Sequence, residues 1–235
     1  MEIRLKEPTK PIHGHPYRTM PLYRDFIAEQ VEKLLAAGSL KPGYGPWASP
    51  VAVVRQGNGT LRMVCGYRRI NQITKVDAHP LSDLEVILQQ LAGMRFFSCM
   101  DLCSGYHQMA LDDDAIEMSA ITTLLGLFNW TVTPFGLASA PSHFTRCMGV
   151  LLSGMSFRNA IAFIDDVLIY SATFDDHLAD LREFFMRLRK FRVSLKAVKC
   201  TLFATKTSYL GFTLSSQGIE CVAQKVQAIE DIPPR

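Results

Sequence analysis

The chain has 235 residues, of which 48% are hydrophobic and 20% are charged, and its formal net charge is +3. This composition supports one packed domain or two subdomains, and the charge is too small to indicate a nucleic-acid partner by itself. No apolar run approaches the roughly 18 residues that cross a bilayer, and no signal-peptide pattern opens the sequence, so we expect an intracellular protein with no membrane partner. The six cysteines include no CxxC pair, which favours reduced thiols over structural zinc.

The first elements along the chain are a helix and a hairpin. Apolar residues recur at helical spacing over 27–35 and predict an amphipathic helix. Val51–Arg55 and Leu61–Cys65 flank a Gly-Asn-Gly turn, which predicts a β-hairpin with Arg55 and Arg62 on either side of its tip. Taken alone, the two arginines are typical of a solvated rim.

A strand that ends in an acid follows. Ser82–Glu85 has the pattern of a capping box and predicts the start of a helix. Phe96–Met100 reads as a strand that presents Asp101 at its end, and Ser104–Gly105 then predicts a turn with accessible backbone N–H groups. Tyr106 comes directly after this turn.

The second half of the chain alternates helices with short strands. Residues 112–114 are three aspartates and predict the polar start of a helix, where acids suit the helix dipole. A further helix is predicted from about Ser139, with Pro141 in its first turn. The next helix is predicted to bury an apolar face made of Leu178, Leu181, Phe185 and Leu188. Three short strands are predicted at 199–203, 208–210 and 212–214.

Two adjacent acids, Asp165 and Asp166, lie between two runs rich in β-branched and aromatic residues within 160–171. The pattern predicts a hairpin with both carboxylates at its junction. Neighbouring carboxylates repel each other, so they either stay in water or bind cations. From this stretch alone a solvated hairpin tip is the simpler interpretation. Other motifs in the sequence are needed to distinguish it from a cation site.

The order of the motifs decides against that simpler interpretation. Five blocks resemble consecutive motifs of reverse transcriptases, and more particularly of gypsy-type LTR retrotransposon polymerases: MDLCSGYHQ (100–108), TPFGLASAP (133–141), FIDDVLIYS (163–171), KCTLF (199–203) and YLGF (209–212). Two earlier blocks resemble the fingers of the same family: PWASP (46–50) and LRMVCGYRRIN (61–71). The resemblance extends from about Tyr17 to the last residue.

The resemblance implies an α+β fold, the fingers and palm of a right-hand polymerase, with helices packed on an antiparallel palm sheet. The fingers are expected at 1–76 and 109–139, and the palm at 77–108 and 140–218. Residues 219–235 are expected to be a linker toward a thumb that is absent from the sequence. The family further implies that the chain is part of, or is cleaved from, a polyprotein with RNase H and integrase, in the cytoplasm, a virus-like particle or the nucleus.

The implied activity is RNA-directed and DNA-directed DNA synthesis, by transfer of dNTPs to the 3′-hydroxyl of a primer on an RNA or DNA template. By matching position, the catalytic carboxylates are Asp101, Asp165 and Asp166. They are expected to bind two Mg²⁺ ions, with Mn²⁺ as a substitute, and the backbone carbonyl of Leu102 is expected to be a further metal ligand.

The same matching assigns the substrate contacts. The residues expected to bind the dNTP are Arg55 and Arg62 on the phosphates, Ser104 and Gly105 through backbone N–H groups, Tyr106 as a barrier to a 2′-hydroxyl, and Phe135 beside the sugar. The expected primer grip is Leu210 and Gly211, and the expected template contacts are Gly136 and Pro141. Tyr106 also fits simple core packing.

Two departures from the family pattern leave alternatives open. Gly66 stands where the family usually has Asp, and Met118–Ile121 replaces the usual Lys-Thr-Ala-Phe. One alternative is therefore a catalytically weak or domesticated nucleic-acid-binding protein derived from a retroelement. Another is a different palm-type metal enzyme such as a nucleotide cyclase, which should lack the fingers blocks.

Overall fold

The computed structural model describes residues 1–77, 79, 84–156, 158–163 and 166–221. These residues form six helices: α1 (Pro21–Ala36), α2 (Arg68–Ile73), α3 (Leu84–Gln90), α4 (Asp113–Met118), α5 (Ala140–Leu151) and α6 (Phe174–Phe191). None of the helices in these ranges is long and apolar enough to cross a membrane. The chain forms two compact units, Met1–His79 with Ser104–Phe144, and the described part of 80–103 with 145–235.

The first unit contains a mixed five-stranded sheet with the order β1-β6-β5-β2-β3. Its strands are β1 (Leu40–Pro42), β2 (Ser49–Arg55), β3 (Leu61–Cys65), β5 (Ile121–Thr123) and β6 (Gly126–Trp130). The predicted hairpin is confirmed as the antiparallel pair β2–β3, in which Val54 lies opposite Arg62 and Arg55 opposite Leu61. Strands β2 and β5 run parallel. Because β3 is the last strand in the sheet order, the hairpin contacts the other strands of this sheet through β2.

Two helices of the first unit begin at residues that favour a helix start. Helix α1 starts at Pro21, which suits the first turn because its missing N–H has no partner to lose there, and it buries Ile27 and Val31. Helix α4 is capped by Asp112, whose side chain accepts a hydrogen bond of 2.8 Å from the N–H of Ala115. The prediction that the three aspartates open a helix is therefore confirmed.

The second unit contains an antiparallel four-stranded sheet with the order β7-β8-β4-β9. Its strands are β4 (Phe96–Asp101), β7 (Ala160–Phe163), β8 (Asp166–Ser171) and β9 (Thr201–Ala204). The predicted pair of strands around the acids is confirmed, because β7 and β8 pair antiparallel with Phe163 opposite Asp166. Asp165 lies outside the described residues, as does the predicted cap residue Ser82. One hydrophobic cluster in the core of this unit consists of Ile87, Leu91, Phe97, Ile161, Leu168, Tyr170, Tyr209 and Leu214.

A second, three-stranded sheet in this unit is formed by β10 (Lys206–Tyr209), β11 (Phe212–Ser215) and β12 (Gly218–Cys221). Strands β10 and β11 pair antiparallel with Tyr209 opposite Phe212. The two-residue turn between them is Leu210–Gly211, and both residues have positive φ, 51° and 82°. Positive φ at both central positions is the geometry that matches the twist of a tight hairpin, although a leucine adopts it with strain.

The predicted buried face of α6 is confirmed at Leu181 and Leu188 and wrong at Leu178 and Phe185. Leu178 and Phe185 are among the exposed apolar residues, whereas the helix buries His177, Leu181, Phe184 and Leu188. The buried row begins with a histidine, which a hydrophobic pattern counts as polar. At the two wrong positions the hydrophobic pattern selected the residue that follows the buried one.

Candidate active site

Two of the three predicted catalytic carboxylates lie side by side at one end of the four-stranded sheet. Asp101 is the last residue of β4, Asp166 is the first residue of β8, and the two are directly opposite in the antiparallel pair. Directly opposite residues in such a pair project from the same face with Cβ atoms about 4.5–5.5 Å apart. The register of two strands therefore brings these acids together, although 65 positions separate them in the sequence.

The electrostatics of this pair favour a cation. The Nζ atom of Lys199 lies 3.0 Å from Oδ2 of Asp101. The pKa of Asp166 is raised above its ordinary value, first by partial burial and second by the Asp101 carboxylate, while Lys199 acts in the opposite direction. The ionised form of Asp166 is thus destabilised, and a bound positive charge would stabilise it.

The donor set fits a hard divalent ion. Carboxylate oxygens are the ligands that Mg²⁺ prefers, and Asp101 and Asp166 supply them from two strands. Among the described residues no three His, Cys, Asp or Glu side chains are grouped to hold a metal, but Asp165 is not one of those residues. Leu102 is buried and forms an isolated antiparallel bridge with Leu195, so its backbone is held in place. Its carbonyl as a metal ligand stays a prediction.

In the first unit the predicted sugar-selecting residue is part of an aromatic cluster. Tyr106 is only 8% exposed, and its ring centroid lies 5.1 Å from that of Phe135 and 5.3 Å from that of Phe144. The Phe135 ring meets Tyr106 nearly at a right angle and is itself 38% exposed. Tyr106 therefore packs as a core residue beneath a partly exposed ring, and the two interpretations of it are compatible.

The predicted phosphate-binding arginines lie on the β2–β3 hairpin. Arg55 ends β2 and Arg62 lies in β3, and both are exposed. The guanidinium carbon of Arg62 lies 5.2 Å above the centre of the Phe135 ring, a distance at which the ring's negative face attracts the cation. Arg62 and Phe135 also line a cavity of about 530 Å³ within this unit.

The turn expected to offer backbone N–H groups has an unusual conformation. Ser104 has φ 49°, in the left-handed region, and its carbonyl accepts a hydrogen bond of 2.7 Å from the N–H of His107. Gly105 and Tyr106 are buried in the single 3₁₀ turn that follows, Gly105–Gln108. A serine in this region is strained, and such strain is found where the surrounding structure imposes it, often at functional sites.

The predicted template residues and the departures from the family pattern also lie in the first unit. Gly136 has φ 99°, and its carbonyl accepts a hydrogen bond of 2.8 Å from the side chain of Asn71. Pro141 is in the first turn of α5, as predicted. The N–H of Gly66 donates to the carbonyl of Pro50 at 2.7 Å, and a Cβ at Gly66 would lie 3.0 Å from that oxygen. The local packing is thus adapted to glycine.

Comparison with known families agrees with this geometry. The family model described as reverse transcriptase (RNA-dependent DNA polymerase) matches residues 52–214, more than half of the chain. The chain belongs to the reverse transcriptase family. The similarity inferred from the motif blocks is therefore confirmed.

Curated relatives of this reverse transcriptase chain are polyproteins of mobile elements and viruses. The Pol polyprotein from transposon gypsy of Drosophila melanogaster is 30% identical over 95% of this chain and 22% of its own length. The Pol polyprotein from transposon opus of the same species is 30% identical over 95% of this chain and 23% of its length. The enzymatic polyprotein of Figwort mosaic virus (strain DxS) is 32% identical over 99% of this chain. The chain thus spans only 22–35% of the length of these relatives.

Solved structures confirm the α+β polymerase fold. The foamy viral protease-reverse transcriptase in complex with an RNA/DNA hybrid superimposes with a TM-score of 0.85 at 21% identity, over 100% of this chain and 33% of the other. The same viral enzyme in complex with double-stranded DNA gives a TM-score of 0.86 at 22% identity, over 100% of this chain and 43% of the other.

Sequence reasoning missed two polar residues, one next to the predicted catalytic carboxylates and one in the aromatic cluster of the first unit. Lys199 lies within the KCTLF block but received no role, and only the structure shows its contact with Asp101. His107 follows Tyr106, and its ring lies 5.2 Å from those of both Phe135 and Trp130. Burial lowers the pKa of His107, so it contributes an uncharged ring to this cluster. No pattern in the sequence separates either residue from an ordinary surface or core position.

Proposed function

We propose that the chain synthesises DNA on RNA and DNA templates by transferring dNTPs to the 3′-hydroxyl of a primer. The observation that carries the proposal is the pair Asp101 and Asp166, held opposite each other by strand register in a chain of the reverse transcriptase family. The polyprotein relatives support the further proposal that the chain works as part of a longer intracellular polyprotein with RNase H and integrase, in the cytoplasm, a virus-like particle or the nucleus.

The acids are proposed to hold two Mg²⁺ ions, with Mn²⁺ able to replace them. Asp101, Asp165, Asp166 and the carbonyl of Leu102 are the groups that would hold these ions. When bound, such ions lower the pKa of an attacking hydroxyl and neutralise charge on the leaving group. The protein's own contribution is to hold two carboxylates on adjacent paired strands, so that little ordering is needed when the reactants bind.

The first unit is proposed to bind the incoming nucleotide. The guanidinium groups of Arg55 and Arg62 match phosphate oxygens bidentately, and the contact with Phe135 limits the orientations open to Arg62. The backbone N–H groups of Ser104 and Gly105 are proposed as further phosphate donors. The ring of Tyr106 is proposed to exclude a 2′-hydroxyl by overlap, with Phe135 beside the sugar.

Template and primer are proposed to follow surfaces of separate elements. A groove of about 1110 Å³ in the first unit is lined by Gly136 together with Arg18, Arg68 and Arg69, whose charges suit a phosphate backbone. Gly136 and Pro141 are proposed to contact the template. The tight turn Leu210–Gly211 is proposed as the primer grip. The foamy viral enzyme in complex with an RNA/DNA hybrid and with double-stranded DNA supports proposing both kinds of template.

A primer-extension assay tests the proposal. Incorporation of a single dNTP on a primed RNA template, and then on a primed DNA template, is measured with Mg²⁺ and again with Mn²⁺. We expect incorporation by the wild-type chain and by Asp113→Asn, an exposed residue in the first turn of α4, and none above background by Asp101→Asn. Tight primer–template binding without incorporation under either metal would instead favour the domesticated nucleic-acid-binding protein.

A further inference from the structure

A buried histidine joins the two strands that carry the catalytic acids to helix α6. His177 of α6 is 0% exposed, and its Nε2 lies 2.7 Å from Oγ of Ser98 on β4. Its Nδ1 lies 2.9 Å from Oγ of Ser171 at the end of β8. Both ring nitrogens are thus within hydrogen-bond distance of serines in the interior of the second unit.

The partners of the two serines determine the direction of every hydrogen bond in this network. Ser171 donates to Oδ2 of Asp180 at 2.7 Å, since a carboxylate only accepts, and so it must accept from Nδ1–H of His177. In a neutral ring Nε2 is then an acceptor, and Ser98 donates to it. The hydroxyl of Ser98 in turn accepts the backbone N–H of Phe203 at 3.0 Å. Burial lowers the pKa of His177, against the opposing charge of Asp180, in agreement with a neutral ring.

The residue at the far end of this network, Phe203, lies in a bulge of β9. Phe203 has φ 54°, which is strained for an aromatic residue. Its ring also contacts that of His177 edge to face, with centroids 5.2 Å apart. Strand β4 pairs Phe97 with Ala204 and Cys99 with Thr201, so three steps along β9 match two along β4. A bulge of this kind persists when surrounding contacts hold it, and it sets the register of the strand before it.

The segment before the bulge carries Lys199. The backbone N–H of Lys196 donates to the carbonyl of Asp101 at 2.9 Å, and the N–H of Lys199 donates to the carbonyl of Lys196 at 2.9 Å. The segment 196–199 is therefore held at one end by its hydrogen bond to Asp101, the last residue of β4, and at the other end by the bulge. In this segment Nζ of Lys199 lies 3.0 Å from Oδ2 of Asp101.

We propose that His177 is a positioning residue for the carboxylate site: through Ser98 it holds the bulge at Phe203, and the bulge keeps Lys199 against Asp101. A shift of the bulge by one position would move the residues before it to the opposite face of the strand. Only the catalytic consequence of this arrangement rests on the proposed polymerase function. The arrangement itself is a property of the second unit.

The two ring nitrogens can be separated by substitution. His177→Gln places an amide oxygen where Nε2 accepts from Ser98, whereas His177→Asn keeps a donor for Ser171 but does not reach Ser98. Ser98→Ala and Ser171→Ala form the matching pair on the strands, because each removes one buried hydroxyl bonded to the same ring. All four variants are made in the 235-residue chain, and urea unfolding measures how much stability each one loses.

Amide hydrogen exchange and ¹H–¹⁵N shifts provide the structural measurement. We expect Ser98→Ala and His177→Asn to accelerate exchange of the Phe203 amide about tenfold more than Ser171→Ala does after correction for global stability, since a lost hydrogen bond is worth about one factor of ten. The amide signals of Lys196 and Lys199 should move in the same two variants. His177→Gln should leave exchange and shifts near those of the wild type. Equal acceleration by Ser98→Ala and Ser171→Ala, or unmoved lysine signals, would overturn the proposal.

Single-nucleotide incorporation gives the catalytic measurement. We expect Ser98→Ala and His177→Asn to lower kcat on the order of tenfold with little change in KM for dNTP, because the substrate contacts lie elsewhere. Ser171→Ala and His177→Gln should keep kcat within about twofold. If the wild type incorporates nothing while the exchange pattern is as expected, the polymerase function fails and the positioning role stands. If the wild type is active and kcat falls equally in both serine variants, the positioning role fails alone.

Discussion

The carboxylates and the residues proposed to bind the nucleotide are held in place by different means. Asp101 and Asp166 are positioned by backbone pairing, in register along the whole of β4 and β8. Tyr106, Phe135 and Arg62 are positioned by side-chain contacts among themselves, at ring distances of about 5 Å. Backbone pairing tolerates a change of side chain, whereas a side-chain cluster does not. Substitutions of the carboxylates should therefore lower catalytic activity without changing the free energy of unfolding. Substitutions in the side-chain cluster should change both.

The largest expected effect is on the carboxylates. Asp101→Asn keeps the shape of the side chain and the strand pairing but removes a charge that a metal needs. We expect kcat for dNTP incorporation to fall on the order of a thousandfold, or about 4 kcal/mol of transition-state stabilisation, while the midpoint of urea unfolding stays within the error of the wild type. Asp113→Asn is the control. Near-normal kcat in a folded Asp101→Asn chain would contradict the assignment.

The next effect is at Tyr106, where stability and selectivity should change together. Tyr106→Ala leaves a cavity beside Phe135 and Phe144, and we expect it to lower the free energy of unfolding by about 3 kcal/mol. The ratio of kcat/KM for dNTP to that for rNTP should fall on the order of a hundredfold, because overlap with the 2′-hydroxyl disappears. Tyr106→Phe should keep the ratio. An equal loss with both nucleotides would make Tyr106 a packing residue only.

A smaller effect concerns the pH dependence of stability through His177. The pKa of His177 in the folded chain lies below its ordinary value of about 6.5, so the unfolded chain binds the proton more readily. Its contribution to stability is therefore fully present above about pH 6.5 and is lost as the pH falls through the folded pKa. The slope approaches about 1.4 kcal/mol per pH unit within that window. Urea unfolding from pH 7.5 to 5 measures it, and His177→Gln should flatten the curve.

The smallest expected effect is at Arg62. Arg62→Lys keeps the charge but loses the planar group that contacts the Phe135 ring and that is proposed to bind phosphate through two parallel hydrogen bonds. We expect KM for dNTP to rise about fivefold, or about 1 kcal/mol, with kcat nearly unchanged. Arg24→Lys on the exposed face of α1 is the matched control. A fall in kcat with constant KM would show that Arg62 acts in the transition state rather than in binding.

Local patterns in the sequence were sufficient for the family and for much of the secondary structure. Alternating strands around Gly-Asn-Gly and around the paired acids predicted two antiparallel pairs of strands that the structure contains, with Val54 opposite Arg62 and Phe163 opposite Asp166. Such signals are readable because a tight turn and the alternation of side chains are properties of neighbouring residues. The same holds for the aspartates that cap α4.

The tertiary structure alone decided which distant polar groups meet. The buried face of α6 was predicted correctly at Leu181 and Leu188 but without His177, because a histidine bonded to two serines is stable in a core where a hydrophobic pattern expects none. The contact between Lys199 and Asp101 joins residues 98 positions apart, one just before β9 and the other at the end of β4. Neither leaves a periodic trace in the sequence, because the free energy of a hydrogen bond or an ion pair depends on where its partner lies in space.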